Sequence, residues 1–265
     1  MKKYFWTLFL IGLFVSIPVQ ARIDIIPQKI IIENRERNGE ITILNLFDVK
    51  GTFRVELVNF SQNQDGIYQK LQAPLNAAFD PEEIVRVSPR QFTLDPYGRQ
   101  KIRLSLRKPA DLPEGEYRFH VKATRLAQDD ERKPENKQSV GVIANIGVTI
   151  PVVVRHGNVS ATAKIDNVSL VQSTQTKTGK PELHLDITRS GNASTMGVLE
   201  VLAEDADGKD RRIGRITNMN IFTDIDKRTV EVPLYETPGA DTRLIVRYYD
   251  DKKKGQIYDE ASLSL

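Results

Sequence analysis

The chain contains no cysteine. No disulfide can close its loops, no thiolate can back a metal site, and the lipid-bearing cysteine of a lipoprotein is excluded. Histidine is scarce. His120, His156 and His184 are the only three in 265 residues and lie far apart, so each reads as a half-exposed strand residue and no metal site is expected. A glycine-rich phosphate loop and a nucleophile elbow are both missing. Charge is nearly balanced, with 38 basic against 35 acidic residues. Two of the bases, Lys2 and Lys3, fall in the N-terminal segment described next, so the charge balance gives no pointer to nucleic acid. The acids cluster in turn-like stretches such as "AEDADGKD" and "YDDKKK" rather than in paired catalytic positions. Neither an enzyme nor a cofactor is expected.

The first 21 residues, "MKKYFWTLFLIGLFVSIPVQA", combine a basic start, an apolar run from Tyr4 to Val19 and a small-residue site at Val19-Gln20-Ala21. This is the grammar of a secretory signal peptide, with cleavage expected after Ala21. Pro18 closes the apolar run short of the roughly 20 residues that a membrane span needs, so no stable membrane insertion is expected after cleavage. An exported chain without disulfides must be held by its core, which fits the periplasm of a bacterial envelope.

Beyond the leader, short alternating runs dominate. In "TFRVELV" Phe53, Val55 and Leu57 share one face, and in "QKIRLSLR" Ile102, Leu104 and Leu106 stand against Lys101, Arg103, Ser105 and Arg107. In "EYRFHVKA" Tyr117, Phe119 and Val121 stand against Glu116, Arg118, His120 and Lys122. Turn signals such as "NRERNGE", "DPYG" and "LPEG" separate these runs, and no long amphipathic helix is visible. The predicted class is all-β, with two β-sandwiches. A boundary near "RHGN" divides the chain into 22–157 and 158–265. The basic set Arg99, Lys101, Arg103 and Arg107 reads as the wet face of a sheet strand, "DADGKD" as a hairpin turn, and "AQDDERKPENKQ" (127–138) as a polar loop.

The most regular pattern lies at 139–157, "SVGVIANIGVTIPVVVRHG". Val140, Val142, Ala144, Ile146, Val148 and Ile150 occupy even positions and therefore one strand face, opposite mostly small or polar residues. The stretch is free of charge from Val140 to Val154. A long uncharged edge is an aggregation liability that stable proteins blunt with charge or proline, so this strand is expected to be covered by another chain.

Taken together, "IPQKIIIENRERNGEITILN" (26–45), "RVSPRQFTLDPYGRQKIRLSLRKPADLPEGEYRFHVKA" (86–123) and the alternating strand resemble the first domain of the PapD-like periplasmic pilus-assembly chaperones. The resemblance implies two immunoglobulin-like domains set at an angle. It also implies that the 140–150 row is a donor strand, inserted into a pilus or fimbrial subunit that lacks its own last strand until delivery to an outer-membrane usher. In that family a basic pair in the interdomain cleft holds the subunit's carboxylate. Its first member falls at Lys29, where the family usually has Arg, and the second at Pro151, which has no side-chain donor. Arg155 and His156 are then the substitute candidates, and the chain reads as a divergent member. The competing reading is a secreted tandem-sandwich adhesin or fibre component, which predicts stable self-association.

Overall fold

The computed structural model describes residues 23–127, 145–172, 174, 176, 179–204, 208–252 and 255–265. In the first half the strands are β1 (Ile23–Ile26), β2 (Ile30–Glu33), β3 (Asn38–Asn45), β4 (Gly51–Gln62), β5 (Tyr68–Leu71), β6 (Val85–Ser88), β7 (Gln91–Leu94), β8 (Arg99–Leu106), β9 (Gly115–Leu126) and β10 (Ile146–His156). A single helical turn, α1 (Pro81–Ile84), precedes β6. The Asp80 side chain accepts the Glu82 N–H there, and Pro81 opens the turn where no donor is needed. Strand order is β1-β3-β8-β6 in one sheet and β2-β10-β9-β4-β5 in the other, with β7 also paired to β4.

The alternating runs account for these sheets. Ile41 faces Ile102 directly across β3 and β8, and both lie under Phe53, Val55, Phe119, Val121, Val152 and Val154 of the opposite sheet in one buried cluster. Each such side chain contributes about 1.5–3 kcal/mol on leaving water. The other faces of β3 and β8 stay wet, and Arg99, Lys101, Arg103 and Arg107 are exposed as expected. At the start of β9 the Tyr117 hydroxyl donates to the Pro113 carbonyl at 2.7 Å, four residues upstream. This is the tyrosine corner found in immunoglobulin-like sandwiches.

The second half adds β11 (Ala161–Val171), β12 (Glu182–Gly191), β13 (Thr195–Glu204), β14 (Asp210–Ile221), β15 (Lys227–Pro233), β16 (Arg243–Asp250) and β17 (Ile257–Ser264). They form a β11-β12-β15 sheet and a β14-β13-β16-β17 sheet. Leu183, Leu185 and Ile187 of β12 pack against Leu199, Val201, Leu244 and Val246 across a separate core. Both halves are thus β-sandwiches. No helix among the described residues is long and apolar enough to cross a membrane.

One expectation needs correction. His120, read as half-exposed, is buried at 3% exposure, against Phe60 and Tyr68 of its own sandwich. Arg118, on the same side of β9, is 6% exposed and is covered by the second sandwich. The Arg118 guanidinium forms two hydrogen bonds with the Asp224 carboxylate at 3.0 and 3.1 Å, donates to the Phe60 carbonyl, and lies 3.9 Å from the centre of the Phe222 ring. Gln62 completes the seam, donating to the Asn220 carbonyl and accepting the Phe222 N–H. A small apolar cluster of Val153, Met196 and Phe222, with Ile31 against it, fills the space between the sandwiches.

Candidate functional site

β10 pairs antiparallel with β9 along its whole length, from Ile146 opposite Arg125 to His156 opposite Gly115. On its other side it pairs with β2 only at Val152–Arg155, in parallel. From Ile146 to Pro151 that side has no strand partner among the described residues. An edge of this kind presents unpaired backbone groups to any strand that approaches.

The side chains follow the same gradient. Val152 and Val154 are fully buried, Ile150 is 3% exposed, Val148 is half-buried against the core, and Ile146 is 45% exposed. One strand face is therefore core at its C-terminal end and emerges from the sandwich toward its N-terminal end. Ile150, a member of the expected binding row, packs in this chain's own core in the free protein. Val140, Val142 and Ala144 lie outside the described residues.

The anchor candidates do not converge. Lys29 is 9% exposed and its Nζ lies 2.7 Å from Asp251 Oδ2 of the second sandwich. Arg155 spreads its guanidinium over Glu116 Oε2, Glu33 Oε1 and the Ser194 carbonyl at 3.1–3.3 Å. Each of its three guanidinium nitrogens donates to an internal partner, and these bonds join the two halves. It lines a separate cavity with Glu33, Asn34 and Gly157. His156 is half-buried beside it in sequence.

Lys29 and Pro151 do share a cavity, of about 380 Å³, with Gln28, Tyr68, Thr149 and Asn218. Adjoining it is a smaller and mostly apolar pocket of about 240 Å³ walled by Phe60, Tyr68, His120, Thr149 and Pro151. His120 stands edge-on to both rings, with centroids 5.2 Å from Phe60 and 5.6 Å from Tyr68. Burial pushes its pKa down to about 3, and the neighbouring Arg118 charge adds to the effect. The imidazole is neutral across the ordinary pH range.

Phe60, Tyr68 and Asp251 were not singled out by the sequence pattern, and His120 was read only as a half-exposed strand residue. One signal for the aromatic pair was present. After Leu57 the apolar residues of β4 move to even positions, Val58 and Phe60, which means that the second face of the strand is also covered at that end. His184 does meet other metal-ligand types, contrary to its sequence spacing. Its ring, Glu182 and Glu231 bring one ligand atom each within 4.8 Å of one another. They lie on β12 and β15, with His184 opposite Glu231, and do not line the cleft pockets.

No family model matches the sequence, and no curated protein matches it. Among solved structures, the Escherichia coli chaperone DraB is similar over 92% of this chain and 97% of its own, with 15% identity and a TM-score of 0.45. The Pseudomonas aeruginosa CupB2 chaperone is similar over 89% of this chain and 97% of its own, at 12% identity and a TM-score of 0.44. A chain of the complex between Salmonella enterica SafA pilin and the SafB chaperone is similar over 92% of this chain and 97% of its own, at 14% identity and a TM-score of 0.45.

Proposed function

We propose that this protein is a periplasmic chaperone for pilus or related surface-fibre subunits. It caps a client by adding β10 as a strand to it and passes the client to an outer-membrane usher. In this reading the leader is removed after Ala21, and the folded domains are 22–157 and 158–265. The single observation that carries the reading is the open side of β10 from Ile146 to Pro151, with an aliphatic face that runs from the core outward.

The magnitudes set how much of the strand is needed. Burying Ile146 and Val148 in a client contributes about 3–6 kcal/mol at about 1.5–3 kcal/mol each. Association costs about 4–15 kcal/mol. Two side chains offset only the low end of that cost; in this reading Val140, Val142 and Ala144 add to the same row, and backbone pairing supplies register. Lys29 holds the client's terminal carboxylate as a point charge, without the bidentate fork of Arg. Asp251 occupies that position in the free protein.

The test is co-expression with the subunit encoded beside it, comparing the native chain with Ile146→Asp. Soluble subunit is recovered with the native chain and lost with the variant. Equal recovery from both would overturn the proposal.

A further inference from the structure

We propose that the pocket at His120 receives a tyrosine side chain of a client polypeptide lying along the open side of β10. The inference rests on the chaperone reading and adds a side-chain preference to it. Position is the first argument. His120 is in register with Pro151 of β10 on one side and Val58 of β4 on the other, so the pocket lies on the cleft face one strand inward from the open edge. A strand added to that edge lies about 4.8 Å from β10 and about twice that from β9. Among uncharged side chains, one with a ring and a polar tip has the reach to cross the half-buried Thr149 and Pro151 and end at the imidazole.

Size and lining are the second argument. An apolar cavity of about 150 Å³ accommodates benzene, and this pocket measures about 240 Å³ with two aromatic walls set for edge-to-face contact. The third argument is the imidazole itself. His120 is 3% exposed, and both of its ring nitrogens are buried without a hydrogen-bond partner among the described residues. Such groups are rare in folded proteins and call for an explanation. Neither nitrogen opens onto the pocket in the free protein; in this proposal the ring turns about its side-chain bonds to present its N–H or its lone pair, and a phenol hydroxyl satisfies either. A primary amide would also match the nitrogens, but its short stem leaves the aromatic walls uncovered. A cation is opposed by the Arg118 guanidinium nearby, whose effect on His120 is already felt.

The probe is N-acetyl-tyrosinamide, followed by NMR on the leaderless two-sandwich chain with labelled histidines. Titration is expected to shift the His120 ring signals while His184 stays in place. N-acetyl-phenylalaninamide is expected to bind at least about threefold more weakly, for want of one hydrogen bond, and N-acetyl-alaninamide to leave the signals unmoved. Thr149→Trp blocks the mouth from a half-buried strand position and abolishes the shifts. His120→Phe, followed through the Thr149 backbone amide because the ring signals are gone and with its melting curve as the check on folding, erases the preference for the phenol. No shift with the tyrosine amide, or equal binding of the tyrosine and alanine amides, overturns the pocket. Loss of the subunit co-expression effect while the tyrosine amide still binds overturns the client part of the proposal and leaves a phenol-binding site.

Discussion

Lys29 and Asp251 are 222 residues apart in the chain, yet the ammonium of one and the carboxylate of the other meet at 2.7 Å across the seam between the sandwiches. Asp251 follows directly on β16, whose hairpin with β17 reaches over the cleft edge to the residue that precedes β2. The pair joins the two sandwiches and also puts a carboxylate where the proposed client carboxylate would bind.

Replacing Asp251 with Ala is therefore expected to act in two directions. Leaving Lys29 nearly buried without this partner lowers stability. Asp251 is itself 27% exposed, which holds the loss to about 1–2 kcal/mol rather than the 3–5 of a fully buried pair. Client affinity rises, because the competing carboxylate is gone. Urea unfolding checks the first effect and titration with a client C-terminal peptide checks the second; a loss of affinity would contradict the competition.

Ile146 and Ile150 share a strand face but differ in exposure, at 45% and 3%. Ile146→Asp is expected to leave the melting temperature within the scatter of ordinary surface substitutions while abolishing client retention. Ile150→Asp buries a carboxylate in the core and is expected to lower stability by more than about 3 kcal/mol. A marked loss of stability from Ile146→Asp, measured by thermal denaturation, would mean that its side chain is needed by the chain's own fold.

His120 makes the protein sensitive to acid. Its folded pKa, near 3, lies below the ordinary 6.5, so the unfolded chain takes up a proton that the folded chain refuses. Above pH 6.5 both states are neutral at this site and it contributes no pH dependence. As the pH falls from 6.5 toward 3, stability is lost by up to about 1.4 kcal/mol per pH unit. His120→Phe is expected to flatten that part of the profile. Unfolding midpoints at pH 7, 5.5 and 4 give the comparison, and parallel profiles for the two proteins would show that His120 is protonated in the fold.

Arg118 has a side chain only 3% exposed and depends on Asp224 for its charge partner. Asp224→Ala strands a buried guanidinium and is expected to cost about 3–5 kcal/mol. Because Asp224 belongs to the second sandwich and Arg118 to the first, the loss falls on their union. Calorimetry is expected to resolve two transitions in the variant and one in the native chain. A single transition at an unchanged temperature would place little of the coupling in this pair.

The strand grammar carried most of the fold, because period-two alternation on β3, β8 and β12 answers directly to one wet and one dry face. It misled where both faces are dry. Arg118 stands on the polar side of its strand pattern, yet it faces the second sandwich, and no local pattern encodes a partner 106 residues away. The row at 146–150 was legible as apolar and uncharged. What alternation alone does not tell is where along that face the chain's own core ends; that depends on β2 pairing with β10 only from Val152 onward. The Lys29 pairing was hidden for a simpler reason, since Asp251 sits in the "DDKKKG" turn that reads as solvated.

The short parallel pairing of β2 with β10 has a consequence for length. Between Ile146, the first strand residue described in β10, and the first rung with β2 at Val152 there are six positions, Ile146 to Pro151. At about 3.3 Å per residue this is a berth of about 20 Å. β2 is the bulkhead at its end, and Lys29, the residue just before that strand, stands at the bulkhead. If a client strand docks there as proposed, its tip can slide toward β2 only until it meets that positive charge, so the closed end sets where the client's tail stops.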